Sequence, residues 1–173
     1  SYIRTTEQKK AKEALAESEK KYRMLFESSA EGILVAQIED QQFKYANRTI
    51  CDMLGYGPEE LTRMGVHDIH PQEDLPYVLD EFKALASGKK SLAENIPCLR
   101  KDGSKIFVNI NSTIMEIDGI ECNVGLFQNI SARLKSEEAL RQSEEKYRSI
   151  LESIEEGYFE VDLAGNFTFI NRA

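Results

Sequence analysis

The side chains able to do chemistry are few, and most sit in one polar loop, His67-Asp68-Ile69-His70-Pro71-Gln72-Glu73-Asp74. Imidazoles flanked by carboxylates are a loose fit to zinc, which takes nitrogen, sulfur and oxygen donors in a tetrahedral set. The same residues read more simply as the approach to a helix. Pro71 and Asp74 suit a helix start, and surface loops are rich in acids. No metal ligand is therefore assigned, and both histidines are expected to be solvated or to brace the loop. Cys51, Cys98 and Cys122 form no CxxC pair and no even framework, which fits a reducing compartment. Cys51 reads as a small core residue. The chain has no P-loop and no nucleotide-binding glycine pattern. Neither long helical stretch carries a histidine that could accept a phosphoryl group. We expect no catalysis within this chain. What is left for chemistry is a binding pocket, and there Ser112 interrupts an apolar row and could meet a polar group, a buried backbone group or a water.

The elements that position these residues are organised by a repeat. Glu13 to Ser28, EALAESEKKYRMLFES, returns as Glu138 to Ser153, EALRQSEEKYRSILES, and Gly32 returns 125 positions later as Gly157. The likeness runs on, EGILVAQIEDQQFKYANR against EGYFEVDLAGNFTFINR, with one residue fewer in the second copy. A period this long suits one small domain plus a connecting helix rather than a solenoid. The expected organisation is an N-terminal helix over 1–27, a domain over 28–131, a linker helix over 132–153 and the opening of a second domain over 154–173. Because the repeat breaks off, the sequence is read as part of a longer chain.

Both repeated stretches lack Gly and Pro and are rich in Ala, Leu, Glu and Lys, as helices are. In the first, Ala11, Leu15, Ser18, Tyr22 and Leu25 alternate spacings of four and three; in the second, Leu140, Ser143, Tyr147, Ile150 and Ile154 do the same. That is a coiled-coil seam, and it predicts a homodimer through the flanking helices. Between them the pattern predicts strands over 33–38 and 43–46, then a short helix capped by Asn47 and ending before Gly55. Another helix starts at Pro58. A longer one is capped by Asp74, carries Val78, Leu79, Phe82 and Leu85 on one stripe, and ends at Gly88. Strands over 95–101, 105–116 and 120–128 follow, joined at Asp102-Gly103 and Asp118-Gly119. Strands first, then helices, then a three-strand meander make an α+β fold: an antiparallel sheet with helices on one face. The pocket between the layers is assigned to Val35, Ile110, Ser112, Val124 and Leu126 from the sheet and Met53, Leu54, Leu61 and Phe82 from the helices.

Composition narrows the partners. A net charge of −8 argues against nucleic acid, whose phosphates need a basic face. No stretch approaches the ~20 apolar residues of a membrane span, so no membrane contact is expected within this segment.

Five segments, in order, resemble one family. Asn47-Arg48 through Met53-Leu54-Gly55-Tyr56, then Glu59-Glu60-Leu61, is similar to an N…LGY…EEL segment, and His70-Pro71-Gln72-Glu73-Asp74 to an HPxD loop. Arg100-Lys101-Asp102-Gly103-Ser104 is similar to an RKDGS hairpin, Asn129-Ile130-Ser131 to an Asp-Ile-Thr junction, and the helix beyond it contains EEAL. Together these resemble the PAS domain, a cytoplasmic sensory module. The resemblance implies a five-stranded sheet in the order 2-1-5-4-3, a cavity under it, and homodimers through the flanking helices. It also implies an exit helix leading to an output domain in the same chain, often a histidine kinase or a diguanylate cyclase. Asn129, Ile130 and Ser131 would couple sheet to exit helix; Asn in place of the usual Asp removes a charge there. Haem is not expected, since the long helix has no histidine near Tyr77, where the family's haem ligand falls. Around Cys51 the flanking pattern of the flavin–cysteine photosensors is missing, and a non-covalent flavin has no motif to support it. The cofactor is left open. The alternative to a ligand or redox sensor is a ligand-free spacer that sets dimer geometry.

Overall fold

A computed structural model describes residues 2–153 and 157–170. The chain divides into two compact units at the Ile130/Ser131 junction. In the first unit α1 (Tyr2–Glu27) leads into the hairpin of β1 (Gly32–Gln37) and β2 (Phe43–Ala46). Three helices follow, α2 (Arg48–Leu54), α3 (Pro58–Leu61) and α4 (Leu75–Ala86), with two short 3-10 turns before α4. The meander β3 (Leu92–Leu99), β4 (Lys105–Ile117) and β5 (Ile120–Asn129) completes the domain.

The five strands form one sheet in the order β2-β1-β5-β4-β3, antiparallel throughout. The turns explain the register. Asp118 and Gly119 both have positive φ, at 53° and 75°, the pair a tight right-twisting hairpin needs. Gly88, at φ 70°, ends α4. The β1–β2 turn has no glycine, and Gln41 takes the left-handed conformation itself, at φ 60°.

Apolar faces of α2, α3 and α4 close over the sheet. Ile50, Leu54, Leu61, Ile69, Ile96 and Val108 are fully buried between the two layers. Removing such side chains from water, at about 25 cal/mol per Å², is what holds the layers together. The packing is closest at Gly32, where a Cβ would lie 2.9 Å from Ile50 Cδ1 and 3.2 Å from its Cα. β1 and α2 touch there only because that position is glycine.

Two expectations are corrected. Asp74 occupies the N-cap position of α4 but its side chain makes no cap, because its backbone is already helical, at φ −95° and ψ −8°. The carboxylate instead accepts from Lys105 Nζ at 3.1 Å. β3 begins at Leu92 rather than residue 95, and a bulge between Ala93 and Ile96 with Asn95 at φ 56° hid the alternation.

The second unit holds α5 (Ser131–Ser153) and a hairpin of β6 (Phe159–Val161) and β7 (Phe167–Ile170). Phe159 meets Phe167 edge-on at 5.5 Å between ring centres, and Tyr158 meets Phe169 at 6.3 Å on the other face. Tyr147 Oη and Tyr158 Oη both donate to Glu160 Oε1, at 2.7 and 3.1 Å.

Candidate functional site

A cavity of about 50 Å³ lies between the inner face of the sheet and α4. Leu34 and Ala36 of β1, Ile110 of β4, and Asn123, Gly125 and Phe127 of β5 form its floor; Val78, Phe82 and Leu85 of α4 form its roof. Three polar side chains reach it, those of His70, Glu81 and Asn123. Gly125 leaves room for Phe127, since a Cβ there would sit 2.8 Å from that ring.

His70 is 5% exposed, and its Nδ1 lies 2.5 Å from the Pro97 carbonyl oxygen. A carbonyl only accepts, so Nδ1 carries the proton and Nε2 is left as an acceptor. Burial holds the ring's pKa below its ordinary value of 6.5, opposed by the Pro97 bond and by the Asp74 charge. His70 therefore pins its loop to β3 as a neutral ring. Cys98, fully buried, lies 3.7 Å from the same nitrogen, and burial alone pushes its thiol pKa far up. His67 behaves differently: it is exposed and pairs with Asp68 at 3.3 Å. The HxxH pair of the sequence is thus split between solvent and core. Among the described residues no group of three His, Cys, Asp or Glu could hold a metal.

Asn123 is 5% exposed and accepts from Ser112 Oγ through its Oδ1. Ser112 thus reaches the cavity through Asn123, a residue the sequence reading did not single out. Glu81 forms part of the wall and pairs with Lys90 Nζ at 2.5 Å.

Of the nine predicted pocket residues, Phe82 and Ile110 line the cavity. Leu54 and Leu61 are fully buried core, and Met53 packs against them. Val35, Val124 and Leu126 lie on the opposite face of the sheet, where they form an apolar groove with Ile33, Tyr22 and Phe26. A strand's side chains alternate, so assigning the phase one residue off turns every one of them to the wrong face. The correct set, Leu34, Ala36, Asn123, Gly125 and Phe127, was hard to see because Ala, Gly and Asn do not read as a pocket floor.

A second cluster ties α1 to this domain. Asn47 is fully buried and uses its amide four times. Oδ1 accepts from the N–H groups of Ile33 at 2.8 Å and Ile50 at 3.0 Å. Nδ2 donates to the carbonyls of Phe26 at 3.0 Å and Glu31 at 3.1 Å. Thr49 Oγ1 adds a bond to the Ser29 carbonyl at 2.6 Å, and the Arg48 N–H one to Glu27 Oε2 at 2.8 Å. The sequence identified the cap; the other three bonds depend on segments brought in from residues 26 to 33. At the far end, Ile130 is buried and its N–H donates to the Phe107 carbonyl at 2.9 Å, while Asn129 pairs with Val108 in register and is exposed. Ser131 opens α5.

The seam residues are on the surface: Leu15, Tyr22 and Leu25 of α1 are 64%, 71% and 62% exposed, and Leu140, Tyr147 and Ile150 of α5 are 61%, 51% and 51%. Ile154 lies outside the described residues.

An antiparallel five-stranded sheet in the order β2-β1-β5-β4-β3, with helices on one face and a small cavity between the layers, is the class of fold these residues build. Residues 43–125 match the family model described as PAS fold, and residues 145–173 match one described as PAS domain. These matches give the chain one PAS domain and the opening of a second. It is 26% identical over 132 residues to the methyl sulfide methyltransferase-associated sensor of Methanosarcina acetivorans, covering 76% of this chain and 13% of that protein. It is 23% identical over 154 residues to the sensor histidine kinase TmoS of Ectopseudomonas mendocina, covering 87% of this chain and 16% of that protein. The chain thus spans less than one-fifth of either relative. The crystal structure of the PAS domain of an HTR-like protein from Haloarcula marismortui superimposes with a TM-score of 0.62 at 21% identity, over 70% of this chain and 99% of that one. A PAS domain from a two-component sensor histidine kinase gives 0.56 at 19% identity, over 66% of this chain and 98% of that one. No described helix is long and apolar enough to cross a membrane.

Proposed function

We propose that this PAS domain is the sensory and dimerising module of a longer signalling chain. Occupancy of its cavity changes α5, which leads from one PAS domain to the next and so toward an output domain such as a histidine kinase or a diguanylate cyclase. The observation that carries this reading is β5. Asn123, Gly125 and Phe127 line the cavity, and β5 ends at Asn129 with only Ile130 between it and α5 at Ser131. A ligand that presses on β5 acts on the strand that continues as the exit helix. The exposed apolar residues of α1 and α5 support pairing of two copies through these helices, since such stripes are stable as helices when a partner covers them. The domain works without catalysis of its own, without nucleic acid and without membrane contact, on the cytoplasmic side of its parent.

The size of the cavity favours a second reading, a spacer that only sets dimer geometry, because 50 Å³ is little room for a ligand. One experiment separates the two. Ala93 is buried in the cavity wall, and Ala93→Val fills part of the space as a ligand would. With spin labels at the exposed position Ser149, off the seam, the sensor reading expects Ala93→Val to shift the distance distribution between the α5 helices of a dimer. The spacer reading expects no shift. Sedimentation of a Leu25→Asp, Leu140→Asp variant tests the pairing itself: a monomer is expected, and an unchanged dimer would remove the helices from the interface.

A further inference from the structure

We propose that the cavity takes a small uncharged compound with an apolar body and a hydroxyl group, held by His70 Nε2 and the Asn123 amide. This rests on the sensor reading and names the ligand class for it. The walls are apolar apart from three side chains. His70 spends Nδ1–H on the Pro97 carbonyl, and Nε2 has no hydrogen-bond partner among the described residues, so it calls for a donor. Asn123 spends Oδ1 on Ser112, and its Nδ2, also without a partner among the described residues, calls for an acceptor. Both side chains are nineteen-twentieths buried and both line the cavity. Neither atom is sealed in the core; both are open to the cavity, where an occupant can bond them. A hydroxyl is donor and acceptor at once and satisfies either anchor.

Charge decides against the other classes. Glu81 places a carboxylate in the wall, and its partner Lys90 is already spent on it. An anion would meet that carboxylate with only neutral groups to offset it. A cation would find the carboxylate taken and both anchors uncharged, and would lose its hydration for little return. Size sets the rest: on the scale where about 150 Å³ takes benzene, the 50 Å³ cavity takes a ligand of about two or three non-hydrogen atoms.

The test uses the 173-residue chain at neutral pH with three probes of one carbon skeleton, ethanol, acetate and ethylammonium. Backbone amide spectra and the imidazole nitrogen resonances are followed in each titration. Ethanol is expected to saturate, to move the His70 Nε2 resonance, and to bind at least about tenfold more tightly than either ion. Ser112→Ala with Asn123→Leu is expected to weaken ethanol by about tenfold, and Ala93→Val to abolish its binding. The imidazole signal needs no variant, so the outcome stands even if a variant misfolds. Tighter binding of acetate or ethylammonium would overturn the ligand class and leave the sensor reading standing. No saturation by any probe, with His70 Nε2 unmoved, would also overturn it. The sensor reading is judged separately by the α5 distances in Ala93→Val, which involve no ligand.

Discussion

The chain contains the same helix–strand segment twice and finishes it differently each time. In the first copy Tyr22 lines an apolar groove on the outer face of the sheet with Ile33 and Val35. In the second, the positions of Ile33 and Val35 are held by Tyr158 and Glu160, and Tyr147, the counterpart of Tyr22, hydrogen-bonds to Glu160. One copy meets its helix with hydrophobic area, the other with a charge-assisted cluster of hydroxyls on a carboxylate. The difference lies on the outer face of the strand, where Ile33 and Val35 give way to Tyr158 and Glu160. The helical seam therefore says little about how a helix docks on its own strand; the outer-face residues of the strand decide that. Asn47 stands apart from the difference. Its Asn-Arg dipeptide recurs as Asn171-Arg172, so that part of the junction is common to both copies in sequence.

The largest effect is expected at that shared joint. Asn47→Ala removes four bonds and leaves buried carbonyls and N–H groups unpaired, and should lower the urea-unfolding stability of the first domain by about 3–4 kcal/mol. Asn47→Asp keeps the two acceptor bonds but turns a buried carboxylate oxygen toward the Phe26 and Glu31 carbonyls, and should cost at least as much. If Asn47→Ala costs no more than a surface substitution, the outer-face groove holds the first joint instead.

Next is a direct exchange between the copies. Val35→Glu places a carboxylate at a position 4% exposed and should cost about 2–4 kcal/mol. Adding Ile33→Tyr rebuilds the cluster of the second copy beneath Tyr22 and should recover at least about 1 kcal/mol by the same assay. Failure to recover would mean that the two docking modes are not interchangeable on one backbone.

A smaller effect separates the copies by pH. The chain has two histidines, both in the first copy, and only His70 is buried. Its folded pKa is below 6.5, so the unfolded chain binds more protons as pH falls past that value. Stability is therefore full above pH 6.5 and declines below it until the folded pKa is reached, by at most about 1.4 kcal/mol per pH unit. Urea titrations of the wild type and His70→Gln across this window should show the decline in the first and its loss in the second. An equal decline in both would assign it to carboxylates.

The smallest effect lies in the hairpin turns. Gln41 and Gly165 hold the same turn position, with φ of 60° and 86°. Gln41→Gly should relieve the left-handed strain and stabilise the first domain by up to about 1 kcal/mol, read as a rise in melting temperature. A fall would mean that the strain is offset by contacts of the Gln side chain.

Much of this protein was legible before folding because it depends on neighbours in sequence. The repeat, the glycine and Asp-Gly turns, the Asn47 cap, the period-two alternation of β4 and the PAS resemblance all follow from local chemistry and spacing. So does the apolar stripe that put Phe82 over the cavity. The long-range facts were not legible. β1 and β5 are apolar on both faces, Ile33 and Val35 against Leu34 and Ala36, Val124 and Leu126 against Phe127, so alternation could not say which face looks inward. The sheet solved this by turning its bulkier, more continuous apolar set toward α1 and its small and polar set, Ala36, Asn123 and Gly125, toward the cavity. Burial of His70 but not His67 was likewise decided by the Pro97 carbonyl, twenty-seven residues away in sequence. Sequence sets what each strand and helix can bury. Only the packing of one layer on another, where space and hydrogen-bond partners come from distant segments, decides which of two acceptable faces is buried and which polar groups are left waiting for a ligand.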